Sequence, residues 1–158
     1  AIPYDNVDKE FLIKPKKWNT NGLGTFMNVM GPISSIIDVI AFLAFWFILG
    51  YNGIEKETYF QTAWFVECLI SETLIIHFVR TAKIPFIQSK PHPILITLTS
   101  ITIIGTILTP ILLHNISAFH FEILPPLYYL IVIGLTILYI ALVQIVKRIY
   151  IKREGEWL

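Results

Sequence analysis

PILITLTSITIIGTILTPILL, residues 93–113, runs from proline to leucine without one charged side chain. A helix needs about 20 such residues to cross the roughly 30 Å of hydrocarbon in a bilayer. The many Ile and Thr residues would weaken a helix in water. In lipid that preference is overridden, because nothing there can bond a bare N–H or C=O and the segment must satisfy its own backbone. A spanning β-strand would need only about 10 residues and would alternate apolar with polar side chains. This stretch is apolar all round.

Three more blocks of the same kind surround it. Residues 26–50 hold one charge, Asp38, residues 59–79 hold Glu67 and Glu72, and residues 127–146 hold none. Tyr51-Asn52-Gly53 closes the first block, Pro85, Pro91 and Pro93 break the connection before the third, and Pro125-Pro126 opens the fourth. Gly31-Pro32 predicts a kink early in the first. Of the 158 residues, 55% are hydrophobic and 15% charged, against about a quarter charged in a soluble domain. A soluble fold of this size has too little interior for so much apolar side chain. The sequence therefore predicts an all-α membrane protein. Its four-transmembrane-helix bundle has spans at about 26–50, 59–79, 93–113 and 127–146. A cytoplasmic loop, 1–25, precedes a membrane domain, 26–158, that ends in a short cytoplasmic tail.

Orientation follows from lysine and arginine. Lys9, Lys14, Lys16 and Lys17 precede the first span. Arg80, Lys83 and Lys90 lie between the second and third, and Lys147, Arg148, Lys152 and Arg153 follow the fourth. Only Lys56 lies on the other side. The positive-inside rule puts the larger set in the cytoplasm, so both ends are expected there. The outer loops are then short, at about 51–58 and 114–126. Lys14-Pro15-Lys16-Lys17-Trp18 reads as a basic segment at the bilayer edge. The single cysteine, Cys68, lies in an apolar block, which rules out an intrachain disulfide. The polar start, Ala1-Ile2-Pro3, does not look like a signal peptide, and the chain reads as a piece of something longer.

Carboxylates inside a membrane cost about 2.5–3.5 kcal/mol each at the centre, so they face protein or a wet cavity. Asp38, Glu67 and Glu72 are therefore the candidate ion-path residues, Glu67 the weaker one. The same acids also admit a structural reading, as neutral carboxylic acids bonded to a neighbouring helix. Five residues at about 100° each place Glu67 and Glu72 roughly 140° apart, so one helix cannot bring both to one ion. Gln61, Cys68 and Glu72 fall on one stripe, and Trp64, Glu67 and Ser71 on another, so the second span shows polarity to at least two neighbours. Ser34 and Ser35 share the face of Asp38. His77 reads as a packing histidine. His114, His120 and Glu122 share an outer loop without a strong metal spacing. No phosphate-binding glycine loop, nucleophile elbow or cysteine cluster occurs. No catalytic residue or bound cofactor is expected in these residues, and no nucleic-acid partner.

Several stretches carry a family resemblance: Ile2-Pro3-Tyr4-Asp5-Asn6-Val7-Asp8 with Lys17-Trp18, Gly31-Pro32 with Ser34-Ser35 and Asp38, Arg80-Thr81, Lys83-Ile84-Pro85-Phe86-Ile87-Gln88-Ser89, and the terminal Gly155 with Trp157-Leu158. In these the chain resembles the C-terminal membrane portion of magnesium-translocating P-type ATPases. The resemblance implies the last four of ten spans of a pump in the bacterial inner membrane. It makes residues 1–25 the loop after the sixth span, and implies ATP and Mg2+ for the parent protein. The partners it implies are the lipid bilayer and the parent's remaining transmembrane and cytoplasmic domains. The phospho-aspartate motif DKTGT is absent here, so the piece is not expected to pump alone. Related pumps place a carboxylate or amide of the eighth span near the transport site, where Glu72 falls. The resemblance leads one to expect glutamine there, as S-Q-T, whereas this chain has Ser71-Glu72-Thr73. A stand-alone four-span interaction protein is the alternative, with an oligomeric channel behind it.

Overall fold

The computed structural model describes residues 5, 6, 8, 20–155 and 157. Most of the expected N-terminal loop, including 14–18, lies outside the described residues. The described chain is helical, with one isolated bridge, between Pro85 and Ser89. Helix α1 spans Thr20–Leu43 and continues through a π-helical turn, Ala44–Ile48. After a short 3₁₀ turn, Ile54–Lys56, come α2 (Glu57–Val79), α3 (Pro93–Leu113) and α4 (Pro126–Glu154). All four are long and apolar enough to cross a membrane, and the chain is a multi-pass membrane protein.

The helix boundaries follow local chemistry. Pro93 stands at the start of α3, where its missing N–H costs nothing, and the His92 ring accepts from the Ile94 N–H. Gly50 turns left-handed (φ 68°) after the π turn, and the Tyr51 N–H reaches back to the Phe45 carbonyl at 3.1 Å. Helix α1 runs through Pro32 as one helix, and a π-helical turn follows at Ala44–Ile48.

Helix α2 is the hub, packing on α1, α3 and α4, while α1 and α4 also pack on each other. One core cluster joins Ala41, Phe45, Ala63, Val66, Tyr128 and Val132, and a second joins Phe26, Met30, Ile37, Phe78, Tyr139 and Val143. Small residues at Ala41 and Ala63 let the helices approach closely, as lipid-embedded packing requires. At one end Phe42 stacks on Trp46 and Phe60 on Trp64, with Phe42 edge-on to Phe60, and the loop before α4 folds back, with the Glu122 N–H donating to Thr62 Oγ1 at 3.1 Å. At the other end α4 continues about two turns beyond the expected limit at 146 before Gly155 (φ 83°) ends it. Trp157 then returns to pack edge-on against Phe26 and Tyr150.

Candidate ion-path cleft and the latched end of the bundle

A cleft of about 220 Å³ opens between α1, α2 and α4. Ser34 and Asp38 of α1, Cys68, Ser71 and Glu72 of α2, and Tyr139 of α4 line it. Helical repeat explains the set. Asp38 lies four residues beyond Ser34, and Glu72 four beyond Cys68, so each pair shares a face. The Ser34 and Tyr139 hydroxyls bond across the cleft wall at 2.7 Å, tying α1 to α4. The Ser71 hydroxyl donates to the Cys68 carbonyl at 3.0 Å. Glu72 is exposed and Asp38 half-buried. Such a wall offers carboxylate and hydroxyl oxygens, the ligand class of hard cations.

The three acids are divided. Asp38 and Glu72 meet at the cleft, while Glu67 does not line it. Glu67 is 2% exposed, on the same side of α2 as Ala63 and Ile70, and its Oε2 has no hydrogen-bond partner among the described residues. Ser71 lines the cleft with Cys68 and Glu72, and Gln61 donates to Glu57 at 2.9 Å. His77 is buried and bonded through Nε2 to Thr99 Oγ1 at 2.9 Å, joining α2 to α3. No group of three or more His, Cys, Asp or Glu converges among the described residues, and Glu122 accepts from Thr58.

Sequence reasoning missed the network at the end of the bundle where 5–8, 80–92 and 147–157 meet. Arg80 pairs with Asp5 at 2.6 Å and donates to the Ser89 carbonyl at 2.9 Å. Asp5 also accepts from the His92 N–H, just ahead of α3, at 2.9 Å. Asp8 accepts from Thr81 Oγ1 at 2.5 Å and Ser89 Oγ at 2.7 Å. Lys147 is 1% exposed and donates to the Phe78 and Thr81 carbonyls, and the Trp157 Nε1–H donates to Val79 O at 2.9 Å. Lys147 and Trp157 thus cap the Phe78 and Val79 carbonyls at the end of α2, which the helix cannot satisfy internally. The only advance signal was that Asp5, Asp8, Arg80, Thr81 and Ser89 all fall in the quoted motifs.

Burial raises the Asp8 carboxyl pKa, but bonds from Thr81 and Ser89 and the charges of Lys83 and Arg80 outweigh it and hold the group below its ordinary value. Its stabilising contribution is thus fully present above the unfolded value, about 3.9, and is lost as pH falls through the lower folded value. Below pH ~4 the unfolding midpoint of the wild type should fall faster with acidification than that of Asp8→Asn. Parallel pH profiles of the two would exclude Asp8 from the latch.

Residues 1–149 match the family described as cation transporting ATPase, C-terminus. A similar relative is the magnesium-transporting ATPase, P-type 1, of Salmonella typhimurium, 40% identical over 158 residues, an alignment covering 99% of this chain and 17% of that protein. The protein of the same name from Escherichia coli is also 40% identical, with 98% of this chain and 17% of that protein covered. The chain thus spans about a sixth of the length of these relatives (17%).

Proposed function

The chain belongs to the family of cation transporting ATPase C-termini, and from that premise we propose that it is the C-terminal membrane part of an ATP-driven P-type transporter whose cargo is Mg2+. On this reading ATP is used by cytoplasmic domains of the parent protein, and these helices support the transport core. The parent sits in a bacterial inner membrane, with the latched end of the bundle in the cytoplasm. The meeting of 5–8, 80–92 and 147–157 at that end supports this topology, because it gathers the flanks of three basic segments.

The observation that carries the ion-path reading is Glu72, an exposed carboxylate inside the apolar α2 that shares a cleft with Asp38. Hydrocarbon is a costly neighbour for such a group; a wet cavity or the parent's other spans are not. Mg2+ dehydrates reluctantly and is usually held by one or two carboxylates with several waters retained. A cleft of about 220 Å³ has room for several waters. Asp38 and Glu72 are assigned to the ion path, and Glu67, turned into the core, to packing.

The test is transport by the intact protein carrying Glu72→Gln or Asp38→Asn. Loss of one carboxylate is expected to raise the half-saturating Mg2+ concentration by roughly tenfold or more. Unchanged ion dependence in both variants would make the two acids structural.

A further inference from the structure

We propose that the turn at 84–88, between α2 and α3, is a membrane anchor whose Ile87 side chain sits among lipid acyl chains. The proposal needs only that α3 crosses the bilayer and does not depend on the ion path. Most of the α2–α3 connection is tied into the latch, yet Ile87 is 77% exposed and its neighbour Phe86 46%. Two adjacent apolar side chains at the tip of a tight turn are out of place in water.

Depth decides what they meet. Helix α3 has 21 residues, or about 30 Å at 1.5 Å each. That equals the hydrocarbon thickness, so α3 has no length to spare and its first turn lies at the hydrocarbon edge. Thr99 is six residues further on, about 9 Å deeper. His77 bonds to Thr99, and the Phe86 ring lies 5.0 Å from the His77 ring. The turn therefore folds back so that the Phe86 ring reaches toward acyl-chain depth while its backbone lies at the hydrocarbon edge. Phe86 adopts a left-handed backbone (φ 64°) to make that reversal, a conformation bulky residues avoid.

Three of the turn's backbone N–H groups are paired within it. The Phe86 N–H donates to Ser89 O at 3.0 Å, the Gln88 N–H to Ile84 O at 3.0 Å, and the Ile84 N–H to the Gln88 side chain at 3.1 Å. Irregular backbone is tolerated at membrane depth only where protein or a wet cavity covers it, so the backbone of the turn stays at the interface and only the Ile87 side chain enters the acyl chains. Lys83 and Lys90 flank the turn, the arrangement by which cationic side chains mark the membrane–water boundary.

Photocrosslinking of the intact protein in its native membranes tests the assignment. A diazirine-bearing amino acid replaces Ile87, the membranes are washed with alkali to remove uninserted chains, and adducts are identified by mass after irradiation. Lipid adducts are expected to dominate. Adducts mainly to protein would mean that a cytoplasmic domain or another span covers the turn. A predominance of the water-quenched product would mean that Ile87 is solvated. Either of these results overturns the proposal.

Discussion

Replacing Lys147 by methionine is expected to destabilise the intact protein by about 3 kcal/mol. Methionine keeps much of the apolar stem and removes the three donors. Two of them serve the Phe78 carbonyl at the end of α2 and the Thr81 carbonyl just beyond it. Bonds from a charged donor contribute about 1.5–3 kcal/mol each, and the ammonium also faces the negative end of the α2 macrodipole. Replacing a buried ion pair by apolar side chains is often neutral, because both charges leave together. Here only the donor leaves. The backbone carbonyls stay, at a position where Lys147 itself is 1% exposed, and burying them unpaired is costly. Thermal unfolding in detergent micelles measures the difference. A midpoint within error of the wild type would mean that water caps α2 as well as lysine does.

The four spans were legible because hydropathy is the dominant signal in a membrane and helix the dominant response to it. The boundaries were less so. Hydropathy registers lipid contact, and helical hydrogen bonding continues without it. Hence α4 runs to Glu154 through Lys147-Arg148, and α1 begins at Thr20. The π turn at Ala44–Ile48 was invisible, since AFWFI is equally apolar in either helix. Counting charges located the basic end but not the partners within it. Arg80 finds Asp5 across 75 residues and Lys147 finds Phe78 across 69, separations that no local pattern encodes. The burial of Lys147 does not bear against counting it for the expected orientation. The charge bias acts as helices insert, before burial against α2 can hide the ammonium. The cleft was half legible. That Asp38 and Glu72 lie in spans is plain from the sequence, whereas Tyr139 joins them only because α4 packs on α1.

Arg80→Ala is expected to cost about 3–5 kcal/mol, the usual penalty for stranding one partner of a buried ion pair. The Asp5 and Arg80 side chains are 12% and 7% exposed, so water cannot readily replace the guanidinium. Three residues lose a donor at once: Asp5 at its carboxylate, Asn6 at its carbonyl, and Ser89 at both its carbonyl and its hydroxyl. Asp5→Ala removes the charge that Arg80→Ala strands, so the double variant should recover part of the loss. A cycle over the four proteins should give a coupling of about 1–3 kcal/mol. Additive losses would place the value of Arg80 in its bonds to Ser89 and Asn6. A full coupling has a structural consequence, because Asp5 also holds the His92 N–H just ahead of α3. The N-terminal segment would then be braced by the same side chain against the end of α2 and the start of α3. A displacement of that segment would reach both helices without passing through the lipid-exposed surface of the bundle.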